Sequence, residues 1–129
     1  MRELGDTANI ARALYNLGAV ALEQAELETA GACFAESLDL AQEVGDLEDS
    51  VWCLIGIAAL ACGLGRVDDA SRLLGTIDAM LVSLGAAMKP FEQRLYERTQ
   101  EAVARTVVAD GIRLTETDAV ELARAIARG

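Results

Sequence analysis

Residues 3–46 read ELGDTANIARALYNLGAVALEQAELETAGACFAESLDLAQEVGD, and the four residues that open this stretch nearly recur at its end. Glu3-Leu4-Gly5-Asp6 returns forty residues later as Glu43-Val44-Gly45-Asp46, and forty later again as Ser83-Leu84-Gly85-Ala86. Between these marks the same displacement lays Leu14 on Leu54, Leu17 on Ile57, Ala19 on Ala59, Ala21 on Ala61 and Ala30 on Ala70. A period of this size is what stacked supersecondary units produce, because one unit cannot bury its apolar face alone.

Each period divides into two helices. Asp6 is placed to cap the first, which carries Ala11, Leu14, Leu17, Gly18, Ala21 and Leu22 at helical spacing. A break is expected near Ala25 and Glu26. A second helix follows with the stripe Leu27, Ala30, Phe34, Ser37, Leu38 and Ala41, ended by Gly45 as a left-handed cap. In the next period Asp46 caps, Leu54 to Ala61 form the first helix, Gly63-Leu64-Gly65 turns the chain, and Val67 to Leu84 form the partner up to Gly85. Gly18, its counterpart Ala58, Ala30 and Ala70 are small where helices are expected to meet. A glycine within a helix costs up to about 1 kcal/mol relative to alanine, so it calls for a packing reason.

Composition agrees with closely approaching helices. The chain has 129 residues, enough for one domain, with 53% hydrophobic residues but only 4% aromatic; 24 alanines and one proline favour helix over strand. The run from Val51 to Gly65 is too short to span a bilayer and reads as a helix buried on several sides. Cys33, Cys53 and Cys62 lie in apolar stretches without CxxC spacing, as buried free thiols of a cytoplasmic protein.

Charge is uneven. Residues 1–50 hold 11 carboxylates against Arg2 and Arg12, a balance of −9, and residues 51–129 hold 10 against 9 basic groups, a balance of −1. A net charge of −10 argues against direct nucleic-acid binding. The absence of histidine from the sequence removes His-activated nucleophiles and most zinc sites, and no phosphate-cradling loop follows Gly63-Leu64-Gly65. The remaining candidate for chemistry is the carboxylate group Glu23, Glu26 and Glu28 at a helix turn. Solvated acids that complement a helix start explain it better, so no catalytic, metal or cofactor site is assigned.

Leu14, Leu17, Gly18, Ala21, Ala30, Phe34 and Ser37, matched in the next period by Leu54, Ile57, Ala58, Ala61, Ala70 and Leu74, fall at the spacing of the tetratricopeptide pattern, which the chain resembles. It departs from that pattern in having forty rather than the usual shorter period, and in lacking the proline that often closes a repeat. Ala11-Arg12-Ala13-Leu14-Tyr15-Asn16-Leu17-Gly18, Leu73-Leu74-Gly75 and the ending Gly111 to Ala123 are similar to the C-terminal solenoids of large bacterial regulators. Those regulators join a signalling ATPase to helical repeats, often with a LuxR-type DNA-binding domain.

The resemblance implies an all-α superhelix of helical hairpins with a C-terminal capping helix. Repeat 1 is expected at about residues 7–45, repeat 2 at about 46–85, and a degenerate third unit with the cap at about 90–128. The third unit would start at Pro90, carry Phe91, Leu95, Tyr96, Ala102 and Val103 to about Ala109, and end at Gly111. Thr115 and Asp118 would start a last helix with Val120, Ala123 and Ile126 inward. Met1 to Asp6 corresponds to the tail of a preceding repeat, so the outward face of the first helix is expected to be apolar and to favour self-association.

The implied function is a protein-interaction or signal-sensing module, with an inducer-binding sensor and a carboxylate-dependent enzyme as alternatives. The family's concave-groove positions map onto Arg12, Tyr15, Asn16, Ala19, Leu22 and Glu23 in the first unit. In the second they map onto Trp52, Ile55, Ala59, Cys62 and Gly63. Tyr15 and Trp52 are the candidate anchors, with packing between helices the competing role for Trp52 and the better one for Ala59 and Cys62. Capture of a peptide carboxylate is not expected, because Ala19 and Ala59 replace the polar groups it needs.

Overall fold

The computed structural model describes residues 4–85, 87–105 and 116–128, and all regular structure in them is helical. The helices are α1 (Leu4–Glu23), α2 (Leu27–Val44), α3 (Leu47–Gly63), α4 (Val67–Leu84), α5 (Pro90–Ala104) and α6 (Glu116–Arg128).

The forty-residue period is written into the backbone. Displacing α2 by forty gives the bounds of α4, and the turns repeat bond for bond. Glu26 N–H donates to Ala21 C=O at 2.8 Å, and Arg66 N–H donates to Ala61 C=O at 2.8 Å. These six-to-one bonds need a left-handed residue just before the donor. Ala25 supplies it at φ 60° in the first hairpin and Gly65 at φ 78° in the second. The later turns agree, with Gly45 at φ 73° and Gly85 at φ 61°. Asp46 caps α3 as expected, its carboxylate accepting from Asp49 N–H at 2.9 Å. Asp6 does not cap α1: the helix already begins at Leu4, so Asp6 lies in the first turn, where its charge still complements the helix dipole.

Phe34 of α2 locks the two hairpins together. Its ring is fully buried, and both neighbouring helices present a glycine to it. A Cβ at Gly18 of α1 would lie 2.8 Å from the ring, and one at Gly56 of α3 would lie 2.7 Å from it. Tyr15 sits on the same ring, with centroids 5.9 Å apart. A short polar chain pins the same three helices: Cys53 S–H donates to Ser37 Oγ at 3.2 Å, and Ser37 O–H donates to the Ala11 carbonyl at 2.6 Å. Gly18, Ala21, Ala30, Leu54, Ile57, Ala58, Ala61, Ala70 and Leu74 are all buried, and Leu14 is half-buried. Leu17 differs. It is 59% exposed, because its side of α1 has no helix over it, and with Ile10 and Val20 it forms an outward apolar stripe.

Helix α3 is the centre of the molecule. Nearly every residue from Val51 to Ala61 is buried, and α3 packs against all five other helices. In the segment expected as a degenerate third unit with the cap, the described residues form α5 and α6, whose backbones do not approach one another. Each has one apolar face and spends it on the hairpins. Helix α5 turns Glu92, Leu95, Tyr96 and Thr99 inward and packs on α3 and α4. Helix α6 is the cap, turning Ala119, Val120, Ala123, Ile126 and Ala127 onto α2, α3 and α4. It seats closely because Gly31 of α2 lies against the Ala127 carbonyl, and Asp39 pairs with Arg124 at 2.6 Å and Arg128 at 3.0 Å. The expected helix end near Ala109, Gly111 and the start signal at Thr115 lie outside the described residues.

Candidate functional site

Of the groove positions predicted on α1, Tyr15, Asn16, Ala19, Leu22 and Glu23 reach the side of the hairpins where α5 lies, whereas Arg12 lies beside Asp49 and Trp52 of α3. Tyr15 O–H donates to Glu92 Oε1 of α5 at 2.9 Å, and Glu23 meets Arg98 at 3.4 Å. Between these two contacts is a cleft of about 610 Å³ lined by Tyr15, Asn16, Ala19, Val20, Glu23 and Gln24 of α1 and by residues 89–92. On the other flank of α5 a second cavity of about 470 Å³ brings together Leu22, Ala59, Cys62 and Gly63 with Leu95, Thr99 and Ala102. Helix α5 therefore lies alongside the positions at which the resemblance implies a groove, with one cavity on each of its flanks.

Two predicted contact residues are not available to a partner. Trp52 is 7% exposed and Ile55 1%, because α3 is enclosed on all sides. Trp52 packs beside Ala11, Arg12, Tyr15, Ser37 and Asp49, so its role is packing. Arg12 is exposed and lies 3.5 Å from Asp49, one oxygen of which is buried. Burial, with Asp46 nearby, raises the Asp49 carboxyl above the usual range, and the Arg12 guanidinium acts in the opposite direction.

Residues of α5 were absent from the predicted set, although Glu92 is the most unusual polar group at the site. Its side chain is 6% exposed; Oε1 takes the tyrosine hydroxyl, and Oε2 is buried without a hydrogen-bond partner. A buried carboxylate oxygen lacking a donor forfeits hydration without replacing it. The sequence carried the signal, for Glu92 stands in register with Leu95, Tyr96 and Thr99 on the stripe that α5 buries. Burial and the neighbouring Glu92 together raise the Tyr15 hydroxyl well above its ordinary pKa, which keeps it a donor.

The three cysteines are free thiols. Burial pushes the Cys53 thiol up to about 12, although its bond to Ser37 acts the other way, so it stays protonated and unreactive near neutrality. Among the described residues no group of His, Cys, Asp and Glu side chains is arranged to hold a metal ion, and no helix is long and apolar enough to cross a membrane. Glu23, Glu26 and Glu28 are exposed at the α1–α2 turn and do not converge on an enclosed space.

Repeated helical hairpins with small residues at their crossings define a helical-repeat scaffold. The tetratricopeptide repeat family model matches residues 9–76, just over half of the chain, and the chain belongs to that family. Repeats of this kind generally mediate protein–protein contact and are typically non-enzymatic. No curated protein and no solved structure matches the chain.

Proposed function

We propose that this chain is a non-enzymatic interaction module of a bacterial multidomain transcriptional regulator, acting in the cytoplasm, and that its protein or peptide partner docks in the cleft between α1 and α5. The observation that carries the docking site is the cleft itself. It lies beside α5 on the first-helix face, and Tyr15, Ala19, Val20, Pro90 and Phe91 give it apolar walls. Apolar walls with a few polar groups are what recognition sites offer. The regulator context is supported by the likeness of residues 11–18 and 73–75 to regulator solenoids, and the absence of direct DNA contact by the net charge of −10.

Site-specific photo-crosslinking tests the docking site. A crosslinker at Asn16 is expected to trap a defined partner of the parent regulator, whereas one at Val82, 84% exposed, is expected to trap none. Equal trapping from both positions would refute the assignment. A second reading, an inducer-sensing domain, is favoured by one observation: a volume of about 610 Å³ suits a small molecule. A ligand-induced rise in melting temperature of several degrees that survives separation from all other proteins would favour that reading.

A further inference from the structure

The side of α1 that carries Ile10, Leu17 and Val20 has no described helix over it, and the forty-residue period shows what covers its counterpart. That counterpart is on α3, where α2 runs antiparallel along it. A Cβ at Gly63 would lie 3.4 Å from Leu27 and one at Gly56 2.7 Å from Phe34. Further along, Ser37 accepts from Cys53 at 3.2 Å and Gln42 donates to Ser50 at 2.9 Å. Counting back forty, Gly63, Gly56, Cys53 and Ser50 become Glu23, Asn16, Ala13 and Ile10, and all four are exposed. Leu17 and Val20 likewise stand bare where Ile57 and Leu60 are buried. Residues 7–22 contain no acid, although residues 1–50 hold 11, and their one charge, Arg12, lies beside Asp49. The outward side of α1 is therefore apolar or neutral within the most acidic part of the chain, as a surface to be covered is.

Asn16, Val20 and Glu23 also line the α1–α5 cleft, so the bare side and the cleft form one continuous surface. We propose that the partner segment received there is an amphipathic α-helix, lying antiparallel along α1 in the place that α2 takes on α3. This rests on the reading of the cleft as the partner's docking site. The first two turns of that helix enter the cleft beside Glu23, Val20 and Asn16, and its second half covers Leu17, Ala13 and Ile10. Its chemistry follows position by position, as in any helix read through residues spaced along one face. Where α2 offers Ser37 and Gln42 to Cys53 and Ser50, the partner meets Ala13 and Ile10, so aliphatic residues belong there. Where Phe34 fits over Gly56, the partner meets Asn16, which carries a side chain where Gly56 has none, so a small residue belongs there. The self-association expected of the same stripe uses this surface while the partner is absent.

The experiment uses the full chain and fluorescence anisotropy with a fluorescein-labelled, hydrocarbon-stapled peptide of 18 residues, the length of α2. The peptide carries leucine in the places of Leu27, Ser37 and Gln42 and alanine in the place of Phe34, with lysine and glutamate balanced elsewhere. It is expected to bind at least about tenfold more tightly than an isomer of the same composition whose leucines share no face. Leu17→Glu is expected to abolish that advantage. Phenylalanine in the place of Phe34 is expected to weaken binding to the wild-type chain at least about threefold, and Asn16→Gly to restore it by recreating the opening that Gly56 gives Phe34. One variant loses binding and the other gains it, so a folding defect in either does not leave the question open. Equal binding of the two isomers, or binding that Leu17→Glu leaves intact, would overturn the proposal. So would a dimer that the peptide fails to dissociate, because the occupant would then be a second copy. Binding of neither isomer would overturn the helix assignment too, with the crosslinking from Asn16 still judging the docking site.

Discussion

Placing alanine at Gly56 sets two opposing effects against each other. Residue 56 lies within α3, so replacing its glycine gains helix propensity worth about 1 kcal/mol. Against this, the new Cβ would stand 2.7 Å from Cζ and 2.8 Å from Cε1 of Phe34. Ordinary carbon contacts begin near ~3.5 Å, so about 0.8 Å must be recovered. The ring has little room to yield, since it is fully buried and already tight against Gly18 on α1. Overpacking of this kind costs about 1–3 kcal/mol, and a fully enclosed ring belongs at the upper end. The expected balance is a net loss of about 2 kcal/mol, a fall in Tm of roughly 6–10 °C for a domain of this size. Gly75 of α4 is the control, being exposed with nothing within 4 Å of a new Cβ, so Gly75→Ala should stabilise by up to about 1 kcal/mol. Urea denaturation followed by far-UV circular dichroism and by the fluorescence of the buried Trp52 reads both. Adding Phe34→Leu should rescue Gly56→Ala with a coupling of at least about 1 kcal/mol. If Gly56→Ala stabilises as Gly75→Ala does, Phe34 is not wedged between the hairpins and the packing argument fails.

Three further outcomes follow from the same structure. The outward stripe of Ile10, Leu17 and Val20 should support self-association, so sedimentation at high concentration should show a dimer that Leu17→Glu disperses at a stability change within about 0.5 kcal/mol; a monomer throughout would refute this. Stability should fall on the alkaline side: the Cys53 thiol titrates near 9.0 when unfolded but at about 12 when folded, so its contribution is whole below pH 9 and is lost as pH rises towards 12, and the raised Tyr15 hydroxyl adds to the loss above pH 10. Denaturation midpoints that stay flat from pH 8 to 11 would contradict that sign. Gly31→Ala should loosen α6, because its Cβ would collide with the Ala127 carbonyl, and amide exchange in residues 119–127 should quicken while that of α1 does not; unchanged exchange in α6 would count against the seating described.

The hairpins were readable from the sequence because their information is local. The marks at Gly45 and Gly85, the break at Ala25 and the glycine pair around Leu64 fix where the chain turns, and left-handed residues stand at those points. The enclosure of α3 was readable too, since a helix apolar on every side must be covered on every side. Which helix covers which face is another kind of information. The stripes of α5 and α6 suit a third hairpin as well as two separate docking sites, and periodicity cannot distinguish them. For that reason Trp52 and Ile55 were assigned to a groove whereas they are packed inside, and Leu17 was assigned to packing although its face is bare. Gly31 and Gly56 went unremarked for the same cause, because the need for a missing Cβ is set by a partner far away in the chain. Glu92 was legible only as an acid on an otherwise apolar stripe. Its bond to Tyr15, 77 residues earlier, depends on α5 lying along the groove.

Contacts of the Phe34 ring in solution test the stacking of the hairpins most directly. With selective labelling of phenylalanine and glycine, nuclear Overhauser effects are expected from the Phe34 ring protons to the Hα protons of both Gly18 and Gly56, with those Hα resonances shifted by the ring current. Effects to Gly18 without any to Gly56 would mean that the first hairpin forms but does not stack on the second, and the account of the fold would be wrong at its centre.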